Sequence, residues 1–190
     1  KRKIDGDLLL KICEKLNINV EDVSIGMGSD KRIGSRFLRA GPAYGGSCFP
    51  KDTRAILNTA NEIKSDLSLI KSVIKSNENR SKILIQRIFK ILNGKLKNKR
   101  ICLLGVTFKA NTDDMRESPS LKIIPALSKK GALITYYDPT GQKKEFNKIK
   151  NVQFKPSIKT ACENSDLIII HTEWNDFKSI DYKKILKRKN

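Results

Sequence analysis

The densest run of chemically useful residues is Gly45-Gly46-Ser47-Cys48-Phe49-Pro50-Lys51-Asp52. Paired glycines let the backbone approach a ligand closely. Pro50 can open a helix, which sets Cys48 just ahead of a helix N-terminus with Lys51 three residues on. The helix dipole and the ammonium both favour a thiolate, the form in which sulfur attacks carbon. The alternative is a plain buried cysteine acting as a small apolar residue. A second polar segment, residues 106–119, carries Lys109, Asp113, Asp114, Arg116 and Glu117, and leads through Ser118-Pro119 into a helix start suited to an anion. His171, the single histidine, has no triad or metal cluster near it in sequence and reads as local hydrogen bonding, with a site role as the sharper option. Cys13, Cys102 and Cys162 sit in ordinary helix or strand patterns. The four cysteines lie far apart with no CxxC pair, so neither a metal site nor a disulfide scaffold is expected. The 11 glycines never fall as GxGxxG, and residues 41–46 run into Ser47 without a Gly-Lys-Ser, which excludes both a dinucleotide fingerprint and a Walker loop.

The elements that must hold these residues divide into two grammars. Ile4, Leu8, Leu9, Ile12, Cys13 and Leu16 recur at helical spacing up to Asn17. Asn19 can cap a short helix over residues 20–25, broken by Gly26 and Gly28. Residues 29–50 form a long Gly- and Pro-rich loop, and a loop of that length inside a compact domain is more often functional than idle. Helical spacing resumes at Thr53 and again from Leu67 to Leu92, with Gly94 as its stop. The polar stretch Asn77-Glu78-Asn79-Arg80 inside that second helix reads either as solvated or as a packing or ligand face. After a basic hinge at residues 95–100, strands alternate with helices: strands at 101–104, 132–137, 152–154 and 166–171, helices after Pro119, around 158–162, and after Asp176 or Ser179. Short links between them argue a parallel sheet covered on both faces, with residues 166–171 a buried strand. In such a sheet ligands bind beyond the carboxyl ends of the strands, here after Gly105, Asp138 and His171. The break between the halves is expected at residues 94–99.

With 190 residues, 38% hydrophobic and 31% charged, the chain is long enough for a sizeable core and carries no apolar run of the roughly 20 residues that span a bilayer. A formal charge of +19 would suit nucleic acid, but the basic residues are scattered; only residues 95–100 and 183–189 cluster. A solvated lysine-rich surface is expected, with no nucleic-acid or membrane partner and a reducing, cytoplasmic setting. The chain begins Lys1-Arg2-Lys3 with no secretory apolar core, and is expected to be a piece of a longer protein.

Residues 37–52, from Phe37-Leu38-Arg39-Ala40-Gly41-Pro42-Ala43-Tyr44 into the cysteine run, and residues 105–119, from Gly105-Val106-Thr107-Phe108-Lys109 to Met115-Arg116-Glu117-Ser118-Pro119, together resemble the signature stretches of UDP-glucose 6-dehydrogenases, within the UDP-glucose/GDP-mannose dehydrogenase family. Weaker matches at Val20-Glu21-Asp22-Val23, Arg32-Ile33-Gly34 and His171-Thr172-Glu173-Trp174 extend the likeness over nearly the whole chain. Enzymes acting on UDP-N-acetylmannosamine, whose cysteine is framed Gly-His-Cys-Ile-Pro, match less; GDP-mannose dehydrogenases are the closer rival.

The resemblance implies an α/β chain with a helical central dimerisation domain (residues 1–94) followed by a Rossmann-like parallel-sheet UDP-binding domain (residues 95–190). It implies a two-step, NAD-dependent oxidation of UDP-glucose to UDP-glucuronate through a thiohemiacetal and thioester on Cys48. Asp52 then helps handle the water. Phe37, Leu38, Arg39, Ala40, Gly41, Tyr44 and Gly45 wrap the sugar and uridine largely through backbone groups, and Phe108 and Lys109 meet the UDP. Arg32 reaches the partner subunit's substrate in a homodimer. Lys51 and Arg116 lie near NAD, which is held mainly by a domain outside this chain. The likeness covers only the latter part of the central domain and most of the last, so the chain by itself is expected not to turn over. The alternatives are a non-catalytic UDP-sugar-binding or dimerisation fragment, or a dehydrogenase for a related nucleotide sugar such as GDP-mannose.

Overall fold

The computed structural model describes Ile12, Cys13 and residues 15–34, 38 and 41–186. The expected positions Ile4, Leu8, Leu9, Phe37, Arg39 and Ala40 lie outside the described residues. The chain forms two compact units: residues 1–43 with 52–80, and residues 44–51 with 81–190. The cysteine run as far as Lys51 and the second half of the long helix thus fall in the second unit, whereas the sequence puts the break at residues 94–99.

In the first unit Ile12, Cys13, Lys15 and Leu16 are helical, and Asn17 follows with a φ of +55°. Helix α1 (Val20–Gly28) is capped by Asn19, whose side chain accepts from the Glu21 N–H, and Glu21 and Asp22 occupy its first turn. The helix runs through Gly26, where a break is expected, and ends at Gly28. Ser29 closes it: its N–H bonds the Ile25 carbonyl and its hydroxyl bonds that of Gly26 at 2.7 Å; a glycine costs a helix only about 1 kcal/mol, which these bonds offset. Helix α2 (Phe49–Glu62) starts four residues before Thr53, because Pro50 is tolerated in a first turn, where its missing N–H is not needed. Thr53, Leu57 and Ala60, spaced for one helical face, are its covered side chains in this unit. Helix α3 (Ser68–Ile91) begins at Asp66, whose carboxylate accepts from the Ser68 N–H at 2.9 Å, and stops where the Gly94 N–H bonds Phe89 O at 2.9 Å. Of its polar middle, Arg80 is buried, so part of that stretch packs rather than being solvated.

The second unit is built on four parallel strands, β1 (Arg100–Leu104), β2 (Leu133–Tyr137), β3 (Val152–Phe154) and β4 (Leu167–Ile170), in the order β3-β2-β1-β4. Helix α4 (Ser120–Lys129) joins β1 to β2, a 3-10 turn at Lys144–Phe146 precedes β3, and α5 (Ile158–Cys162) leads to β4. A further 3-10 turn (Asn175–Phe177) and α6 (Tyr182–Leu186) follow. Strand β1 is central and its side chains alternate between two cores. Ile101 and Leu103 pack with Ile88, Leu92, Ile124 and Leu127; Cys102 and Leu104 pack with Ala161, Cys162 and Phe177. Burial on both faces explains why the strand reads as an unbroken apolar run. The expectation of a buried strand at residues 166–171 is corrected: β4 is an edge strand among the described residues, half-covered, with Ile170 48% exposed. Among the described residues no helix is long and apolar enough to cross a membrane.

Candidate functional site

The carboxyl ends of β1, β2 and β4 bring three turns together, and the loop after β1 is the one they hold. Gly105 has φ +74°, and a Cβ there would stand 2.5 Å from the Thr172 Cβ and 2.9 Å from its carbonyl oxygen, so only glycine fits. The next residue, Val106, is held at both its polar groups. Its N–H donates to the buried Asp138 carboxylate at 2.8 Å, and its carbonyl accepts from the hydroxyls of Ser118 (2.7 Å) and Ser120 (2.6 Å). The Thr172 hydroxyl donates to the Thr107 carbonyl at 2.7 Å. The Phe108 N–H bonds the Asp114 carbonyl at 3.2 Å and closes the loop. Asp138 also accepts from the Thr140 N–H (3.0 Å) and hydroxyl and stands 3.9 Å from the buried Lys143 ammonium. Buried polar groups this fully partnered form a rigid frame.

His171 sits in that frame, buried, with Nδ1 3.1 Å from the Thr172 hydroxyl. Burial pushes its pKa down to about 4, opposed by the Asp138 charge, so the imidazole is neutral at pH 7.

The cysteine run rests on this loop. The Gly46 N–H donates to the Arg116 carbonyl at 2.8 Å. A Cβ on Gly45 would meet the Glu117 carbonyl oxygen at 2.5 Å, and one on Gly46, where φ is +85°, would meet the Phe108 ring at 2.8 Å. The two glycines therefore let the strand-end loop and the cysteine run lie in direct contact. The Tyr44 and Phe49 rings meet edge to face at 4.8 Å across the run. Cys48, which immediately precedes α2, is exposed, which removes the reading as a buried apolar cysteine; its Sγ lies 3.6 Å from the Ser47 hydroxyl.

Arg116 is held in one orientation by Asp114, with Nε to Oδ1 at 2.9 Å and Nη2 to Oδ2 at 2.8 Å, while its side chain remains 69% exposed. The same fork lowers the Asp114 pKa. Asp114 raises that of Arg116, and a smaller contribution comes from the charge of Cys48. Lys109 is exposed, its ammonium 5.3 Å from the Phe108 ring centre. A cleft of about 670 Å³, lined by Asp113, Asp114, Arg116, Thr140, Lys143 and Glu145 among others, opens beside the loop; Cys48 does not line it.

The second unit thus brings together Tyr44, Gly45, Cys48, Phe108, Lys109 and Arg116, with Lys51 two residues into α2. Asp52 follows it in the first turn of that helix, in the first unit. Also in the first unit, Leu38 is buried and its carbonyl accepts from the Ser24 hydroxyl at 2.9 Å, Gly41 is exposed, and Arg32 forms a fork to Asp30 with its side chain 89% exposed. The residues that sequence reasoning missed are the frame itself: Asp138, Ser118, Ser120 and Thr172. The signal for the serines was the Ser118-x-Ser120 pair at a helix start; for Asp138 it was an acidic residue directly ending an apolar strand.

Models of the UDP-glucose/GDP-mannose dehydrogenase family match the chain twice, its central domain over residues 7–79 and its UDP-binding domain over residues 102–190. The chain is 40% identical over 174 residues to a UDP-glucose 6-dehydrogenase of Rhizobium meliloti (strain 1021), covering 92% of this chain and 40% of that protein. It is 46% identical over 168 residues to one of Bacillus subtilis (strain 168), covering 88% of this chain and 38% of that one. A solved UDP-glucose dehydrogenase from the hyperthermophilic archaeon Pyrobaculum islandicum superimposes with a TM-score of 0.86 at 29% identity, over 93% of this chain and 41% of that chain. The chain therefore spans about two fifths of the length of the relatives it matches.

Proposed function

Since the chain belongs to the UDP-glucose/GDP-mannose dehydrogenase family, we propose that it is the nucleophile-bearing and UDP-binding portion of a UDP-glucose 6-dehydrogenase, which oxidises the primary alcohol of UDP-glucose to the carboxylate of UDP-glucuronate. The observation that carries this reading is an exposed Cys48 at the start of α2, on a glycine run that lies against the loop bearing Phe108 and Lys109.

NAD, when bound, supplies the hydride acceptor for both oxidations. This chain offers it no glycine fingerprint, but the exposed Arg116, preset by Asp114, and Lys51 suit the oxygens of a pyrophosphate. Cys48 Sγ attacks the carbon of the intermediate aldehyde and forms a thiohemiacetal; its oxidised form is a thioester on the same sulfur. Water then attacks the thioester, Asp52 accepts the water's proton, and the thiol is restored as UDP-glucuronate leaves. Lys109 pairs with the diphosphate, with Phe108 beneath it. Phe37, Leu38, Arg39, Ala40, Gly41, Tyr44 and Gly45 enclose the sugar and uridine. The assembly is a cytoplasmic homodimer in which Arg32 serves the partner subunit's substrate, and exposed Ile63 and Leu69 of the first unit supply apolar surface for it.

The test is competitive alkylation of the purified chain by iodoacetamide, read by mass spectrometry at Cys48 against the buried Cys13. UDP-glucose is expected to slow modification of Cys48 at least several-fold and leave Cys13 unchanged. Equal rates with and without the nucleotide sugar would contradict the assignment, and protection by GDP-mannose alone would move it to the sister substrate.

A further inference from the structure

Two cysteines that the proposed chemistry does not use stand together on the other face of the sheet. Cys102 lies in the middle of β1 and Cys162 is the last residue of α5; their sulfurs are 3.7 Å apart, both are free, and both are buried. We propose that Cys102 and Cys162 form a reversible intramolecular disulfide that ties β1 to α5. The inference is independent of the substrate reading above.

A disulfide requires the sulfurs to close to about 2.05 Å, a movement of roughly 1.6 Å. Cys102 is fixed, since β1 is hydrogen-bonded to β2 on one side and β4 on the other. Its partner lies on α5, only five residues long, anchored at its start by the Ser157 hydroxyl accepting from the Thr160 N–H, and followed by the exposed Glu163 and by Asn164 at φ +57°. Thr135 bonds the Ala161 carbonyl at 2.7 Å and holds that end of the helix over the strand. The hydrogen bond from Cys102 favours ionisation of Cys162, while the same bond and then burial keep Cys102 protonated. Cys162 is therefore the attacking thiolate.

The oxidant is a low-molecular-weight disulfide. The Cys162 thiolate attacks one of its sulfurs, forms a mixed disulfide and expels one thiolate. Cys102 then attacks the Cys162 sulfur, forms the internal bond and expels the second thiolate. The two protons of the cysteines end on the two released thiols, and two electrons pass to the reagent. A dithiol reductant reverses both steps, so in a reducing compartment the pair rests as thiols.

The test incubates the folded chain with bis(2-hydroxyethyl) disulfide, blocks remaining thiols and digests with trypsin. The expected product is a linked pair of peptides, residues 101–109 joined to residues 160–178, lost on reduction and missing in Cys162→Ser. Conversion of Cys48 to its mixed disulfide in the same sample shows that the reagent acted. The proposal is overturned if that conversion is complete and the linked pair is absent. It is also overturned if residues 101–109 link to the Cys48 peptide, or if the pair forms only in urea.

Discussion

The loop after β1 and the cysteine run differ in what fixes them. The first is gripped by four side chains from three places in the sheet unit: Asp138, Ser118 with Ser120, and Thr172. The second rests on that loop, through a backbone bond from Gly46 to Arg116 and through two glycines pressed on Phe108 and Glu117. Cys48 is therefore seated against the loop, and damage to the frame should reach it, while damage to the run should spare the frame.

The largest effect belongs to the frame. Gly105→Ala puts a methyl against the Thr172 backbone at a positive φ and should cost roughly 3 kcal/mol or more, read as a collapse of the urea midpoint. Asp138→Ala leaves the Val106 N–H without its buried acceptor and the Lys143 ammonium without its buried countercharge, and should cost about 3 kcal/mol in the same assay together with the loss of UDP-glucose protection of Cys48.

His171 gives the frame a pH signature. Its folded pKa of about 4 lies below the unfolded 6.5, so the unfolded chain binds the proton more readily. Stability is full above pH 6.5 and falls as pH drops toward 4, by on the order of 3 kcal/mol. His171→Gln should flatten that slope in denaturation curves taken across the window; an unchanged slope would put the acid sensitivity elsewhere.

Effects in the cysteine run should be local. Gly45→Ala meets the Glu117 carbonyl, and should cost about 1–3 kcal/mol and abolish UDP-glucose protection, with the His171 pH slope retained. The smallest effect is expected for Ser118→Ala, about 1 kcal/mol by urea titration, because Ser120 still bonds the Val106 carbonyl.

What the sequence made legible was local. Asn19 as a cap, Gly94 as a stop, the apolar run of β1 and the place of Cys48 just ahead of a helix rest on neighbours within a few residues, and the structure has them. Contacts that depend on strand order stayed hidden. Asp138 reaches Val106 across 32 residues, Thr172 reaches Thr107 across 65, and Cys162 meets Cys102 across 60. Each joins ends or faces of strands that only the order β3-β2-β1-β4 makes neighbours. The misread helix end at Gly26 is the converse case, a local glycine signal overruled by the bonds of Ser29.

Calorimetric titration of the chain with UDP-glucose at moderate salt, with GDP-mannose as competitor, tests the central claim most directly. Saturable binding of UDP-glucose that GDP-mannose does not displace, and that Lys109→Ala and Gly45→Ala both weaken, is the predicted result. Binding undiminished by both substitutions would contradict a site built where the cysteine run meets the loop after β1, as would no binding by a chain whose frame is shown intact by the His171 pH slope.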